Sequence, residues 1–75
     1  MRIEREVIIT ILDDNGEKMN DGDMVLYTTK SSPYATVAYY KGLNDRGNIV
    51  LADYATNEEY AKAPANFVTF QKATL

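Results

Sequence analysis

Apolar residues between Ile3 and Leu12 fall on both sides of an extended chain. Val7, Ile9 and Ile11 share one side and Ile8, Thr10 and Leu12 the other, because strand side chains alternate with period two. A strand this apolar on both faces is expected to be covered twice or to lie against a partner. Asp13-Asp14-Asn15-Gly16 follows. Asn-Gly accepts the positive φ of a type I′ turn, so the pattern predicts a hairpin with a short return at Glu17-Lys18-Met19.

Turns and apolar runs then alternate. Asn20-Asp21-Gly22-Asp23 is a turn before a strand at Met24-Val25-Leu26-Tyr27-Thr28-Thr29. Lys30-Ser31-Ser32-Pro33 reads as a loop, since proline fixes its own φ and restricts the residue before it. A strand is predicted from Tyr34 to Lys41, with Ala35, Val37 and Tyr39 on one face and Tyr34, Thr36, Ala38 and Tyr40 on the other. Asn44-Asp45-Arg46-Gly47 turns the chain into Asn48-Ile49-Val50-Leu51-Ala52. A polar segment, Asp53 to Tyr60, comes next. A single helical turn fits around Pro64, and Phe67-Val68-Thr69-Phe70-Gln71-Lys72 closes the pattern as a strand. Five or six short strands with turns about every 8 to 12 residues predict an all-β fold, a small antiparallel barrel. Closure also removes the exposed edges that such a chain must avoid.

Composition narrows the chemistry. The 75 residues are room for one domain, residues 1–75, with a thin stability margin. There is no cysteine, hence no disulfide, thiolate metal site or cysteine nucleophile. There is no histidine, hence neither the commonest general base nor the commonest metal ligand. No glycine-rich phosphate motif is present, and the four glycines sit at turns. These absences predict a protein that is not an enzyme and uses no cofactor. The N-terminal run has neither the flanks nor the length of a signal peptide, and no apolar stretch is long enough to span a bilayer. A cytoplasmic protein with no membrane partner is expected.

Eight bases against eleven acids give a net charge of −3, and the bases are singly dispersed. A nucleic-acid binder normally carries a basic footprint, so that class is disfavoured. The acids Asp13, Asp14, Asp21 and Asp23 suggest calcium, yet their spacing matches no EF-hand and aspartate is a turn residue in its own right. The turn reading is taken, with no metal site. Asp53 with Glu58 or Glu59 would need a cleft to act as a hydrolytic pair.

From Gly22 to Phe70 the order of features resembles a Tudor domain, a member of the small SH3-like barrels. Gly22-Asp23-x-Val25 matches the opening glycine and first strand, and Tyr34-Ala35-Thr36-Val37 the second. Asp53-Tyr54-Ala55-Thr56-Asn57-Glu58-Glu59 resembles the acidic segment after the third strand. Ala65-Asn66-Phe67 stands at the helical turn before the last. The likeness spans residues 22–72, about two thirds of the chain, and leaves residues 1–20 as an added hairpin. It implies a barrel of five to six strands and an aromatic cage for methylated lysine or arginine. Tyr34 and Tyr54 stand at cage places. Thr28 or Thr29 and Leu51 stand at the others, Ala55 replaces a glycine, and Asn57 fits the cage asparagine after a one-residue shift. Half a cage is therefore present.

Six tyrosines remain the leading compositional feature. Tyrosine suits half-buried strand positions, and it is also enriched at interfaces. Tyr27 and Tyr39 are assigned to packing. The expected function is a protein-interaction module whose surface comprises Tyr34, Tyr40, Asp53, Tyr54, Asn57, Glu58, Glu59 and Tyr60, facing a basic or apolar protein patch. The alternatives are weak single-stranded nucleic-acid binding through Tyr34, Tyr40 and Lys41, or a homo-oligomeric accessory protein paired through the Val7–Leu12 strand.

Overall fold

The computed structural model describes residues 1–5 and 9–73. The fold is all-β, in two antiparallel sheets. The first pairs β1 (Arg2–Arg5) with β2 (Ile9–Leu12). The second contains β3 (Met24–Thr29), β4 (Ser32–Leu43), β5 (Ile49–Asp53), β6 (Glu59–Lys62) and β7 (Phe67–Lys72). Its order is β6-β5-β4-β3-β7: four strands meander, and the last returns beside the first. No pairing joins β6 to β7 among the described residues, so this sheet is open. A 3-10 turn, Pro64–Asn66, leads into β7. No helix among the described residues is long and apolar enough to cross a membrane.

The continuous strand expected over Ile3–Leu12 is instead two strands paired with each other, Ile3 opposite Ile11. Val7 and Ile8 lie outside the described residues. The Asp13–Gly16 turn forms, and its return pairs briefly: Lys18 bridges Leu12, the Met19 N–H donates to the Ile11 carbonyl and the Asp13 N–H to the Glu17 carbonyl, both at 2.8 Å. The side chains of residues 13 and 14 are engaged by β7. Asp13 Oδ1 accepts from the Asn15 and Glu17 N–H at 3.0 and 2.8 Å, and Oδ2 from the Lys72 N–H at 2.9 Å. Asp14 Oδ2 accepts from the Phe70 N–H at 2.8 Å, while the Asp14 N–H donates to the Phe70 carbonyl at 2.8 Å. Two carboxylates thus satisfy the edge of β7 where a neighbouring strand would, which blunts an aggregation-prone edge. Ile11 and Leu12, at the end of the run expected to pair with a second copy, are buried within the chain itself.

One face of the large sheet forms the core. Val25, Tyr27, Ala38, Tyr40, Ile49, Leu51 and Phe70 cluster with Ile11 and Met19, and Met1, Ile3 and Leu43 pack against them. The Tyr40 and Phe67 rings meet Phe70 edge-on, at centroid distances of 6.5 and 5.2 Å.

Two irregularities shape β4. Tyr40 pairs with Leu51 but Leu43 pairs with Ile49, so an extra residue bulges out. Gly42, at φ +97°, takes the left-handed conformation that such a bulge requires. The bulge resets the alternation, letting both Tyr40 and Leu43 face the core. At the other end Tyr27 pairs with Thr36 and Thr29 with Ser32, so Pro33-Tyr34-Ala35 oppose Thr28 alone. Proline, with no N–H to donate, is tolerated in a bulge, so the expected loop at 30–33 is partly strand.

Candidate functional site

The eight residues expected at a partner surface divide in two. Tyr40 is a correction: at 4% exposed it belongs to the core, because Tyr40 follows Ala38 on the inward face of β4. Tyr60 is half-buried, and its hydroxyl shares a 2.7 Å hydrogen bond with that of Tyr27. Burial first, then that bond, raises the Tyr60 phenol above its ordinary pKa. Asp53 and Asn57 build a turn. Asp53 Oδ1 accepts from the Ala55 and Thr56 N–H at 2.8 and 2.9 Å, and those donors hold its carboxyl below the usual range. Asn57 sits at φ +65°, where asparagine is tolerated, and donates its N–H to the Asp53 carbonyl at 2.9 Å.

Tyr34, Tyr54, Glu58 and Glu59 are left exposed. The half-cage implied by the resemblance is not assembled as a ring pair. Tyr54 is 51% exposed and stacks on Tyr39, with centroids 5.9 Å apart and planes at 27°. Tyr34 is 80% exposed in its bulge and meets no aromatic ring among the described residues. Leu51 is wholly buried on the inward face.

The Tyr39–Tyr54 stack lies on the face of the large sheet that turns away from the core. Its rows follow from the register. Met24, Tyr39, Ala52 and Glu59 stand side by side across β3, β4, β5 and β6. Gln71, Leu26 and Val37 form the neighbouring row, and Thr69 and Thr28 the next, joined by a 2.8 Å hydroxyl contact. Cross-strand neighbours of this kind are close enough to act as one surface. Leu26, 38% exposed, stands out as apolar and accessible. The result is a continuous strip of Leu26, Val37, Met24, Tyr39 and Tyr54, ended by the exposed acids Glu58 and Glu59.

Sequence reasoning missed Met24, Leu26 and Val37 and assigned Tyr39 to packing alone. A signal was present. In Met24–Thr29 both alternating sets are apolar or nearly so, and only one set can face a single core. Nothing in the strip supplies a nucleophile beside a base, and no group of acids among the described residues is arranged to hold a metal ion. What it offers is apolar and aromatic contact with an acidic border. Comparison with protein-family models, with curated proteins and with solved structures found no match to this chain.

Proposed function

We propose that the chain is a non-catalytic protein-interaction module that docks a protein partner on the outer face of its large sheet. The observation that carries this reading is the apolar strip from Leu26 and Val37 to the stacked Tyr39 and Tyr54, in which Leu26 and Tyr54 are exposed and Val37 and Tyr39 half-buried, bordered by Glu58 and Glu59. Tyrosine supplies large rigid contact area at interfaces, and apolar neighbours around it exclude water. The acids favour a partner with a basic rim, through complementary potential. Tyr34 extends the same chemistry from its bulge.

The order β6-β5-β4-β3-β7, with a 3-10 turn before the last strand, supports a Tudor-like, SH3-like architecture for residues 22–72 carrying an added hairpin. The separate fates of Tyr34 and Tyr54 favour a flat protein contact over capture of a methylated side chain. A cysteine-free chain needs no oxidising compartment, which fits action in the cytoplasm. The experiment is capture of binding proteins by wild type and by Tyr54→Ala, each checked to be folded. A specific protein recovered by the first and lost by the second is expected. Indistinguishable recovery would remove the reading.

A further inference from the structure

A second feature lies on the opposite side of β4, independent of the outer face. A cleft of about 310 Å³ opens between β2, residues 18–21 and the end of β4. Ile9, Met19 and Leu43 give it apolar walls, and Asp21, Tyr40 and Lys18 bring the main polar groups. Tyr40 is almost wholly buried, yet no hydrogen bond engages its hydroxyl among the described residues. Among the described residues no side-chain polar atom is sealed from solvent without a partner. The hydroxyl therefore reaches solvent, and the cleft is where Tyr40 meets it.

Asp21 is likewise unpaired. The ion pairs among the described residues use Asp14, Glu4 and Asp23, and Asp21 joins none of them. Its Oδ1 lies 3.2 Å from the point where a β-carbon on Gly42 would stand. The bulge glycine therefore leaves room for the carboxylate against the wall of the cleft. Burial, and then the nearby Asp21 charge, raise the Tyr40 phenol above its ordinary pKa, so it remains a neutral hydroxyl beside an anion. A carboxylate and a hydroxyl without partners, next to aliphatic walls, match a cation on a short hydrocarbon stem.

We propose that this cleft binds an alkylammonium group, whose N–H donors go to the Asp21 carboxylate and the Tyr40 oxygen while its methylenes lie on Ile9, Met19 and Leu43. Lys18 is the one base among the described residues lining the cleft, and its charge opposes that of the ligand.

The test is an amide-resolved NMR titration of the whole chain with n-butylammonium, with n-butanol as the uncharged control. Saturable shifts centred on Asp21, Tyr40 and Gly42 are expected with the cation and not with the alcohol. Asp21→Asn should weaken binding about tenfold, as loss of a charge-assisted hydrogen bond does. Tyr40→Phe should weaken it about threefold at unchanged melting temperature, since the hydroxyl holds no protein partner. Lys18→Ala should tighten it. A lysine-containing peptide that binds as well as the free amine identifies the source as a protein side chain. Binding of the free amine alone identifies a small metabolite amine, and either result supports the site. Equal shifts with butanol, no saturable shift, or an Asp21→Asn variant that binds like wild type would overturn it. Because Tyr39 and Tyr54 take no part, its failure leaves the outer-face reading untouched.

Discussion

Tyr39 and Tyr40 are consecutive and chemically identical, yet they belong to different parts of the molecule. Tyr40 faces inward, meets Phe70 and is nearly wholly buried. Tyr39 faces outward, stacks on Tyr54 and retains contact with water. The pleat of β4 makes the division, since neighbouring side chains point to opposite faces. The lesson concerns the two sheet faces. One is apolar because the fold needs it. The other carries an apolar strip whose ends, Leu26 and Tyr54, stay exposed to water.

Substitutions on the two faces should therefore behave differently, and the largest contrast is in stability. Phe70→Ala removes a wholly buried ring from the inward face and should cost about 3–5 kcal/mol, a large part of the stability of so small a domain. Leu26→Ser, one row away on the outward face, should stay within about 0.5 kcal/mol. Urea denaturation of both variants measures the difference. A comparable loss at Leu26 would mean that the outward strip is part of the core.

The two aspartate-led turns give the next contrast. Asp13 and Asp53 each accept from two backbone N–H groups of their own turn. Asp13, only 2% exposed, also accepts from Lys72, fifty-nine residues away, while among the described residues no side-chain bond of Asp53 leaves its turn. Asp13→Ala should therefore cost about 2–3 kcal/mol by denaturation, with Asp53→Ala costing less. Burial pushes the Asp13 carboxyl up, but the Lys72, Glu17 and Asn15 donors outweigh it and leave it below the ordinary value. For Asp14, burial is likewise outweighed by the terminal ammonium and the Phe70 N–H. A carboxyl depressed on folding stabilises above its unfolded pKa. That contribution is lost as pH falls through the folded value. Stability should thus hold near neutrality and fall below about pH 4, with a shallower fall in Asp13→Asn. Thermal melts across that range check the sign. Tyr60→Phe should cost less than Asp13→Ala, about 1 kcal/mol for the lost Tyr27–Tyr60 hydroxyl bond.

Strands β3, β5 and β7 were legible because their apolar residues are dense and their ends carry turn residues. β6 was not, since Glu59-Tyr60-Ala61-Lys62 is short and half polar and becomes a strand only by pairing with β5. The break in Ile3–Leu12 was hidden because no glycine, proline, asparagine or aspartate interrupts the run, and alternation alone does not mark a reversal. The long-range use of Asp13 and Asp14 was hidden too, since an Asp-Asp-Asn-Gly run explains itself as a turn without naming β7. For the site, Tyr54, Glu58 and Glu59 were found as exposed groups. Tyr40 was misplaced by treating the Tyr34 face of β4 as outward, when the bulge at Pro33–Ala35 exposes Tyr34 and the same face turns inward at Ala38. Leu26 and Val37 were passed over because an apolar residue in a strand is read as core until the faces are counted.

The claim that the outward face docks a protein is tested most directly by quantitative capture with three folded proteins side by side: wild type, Leu26→Ser/Tyr54→Ala, and Tyr27→Phe, a change on the inward face. A specific protein retained by wild type and Tyr27→Phe, and lost by the double variant, is the result expected. Equal retention by all three, or no specific protein retained by wild type, would contradict the claim.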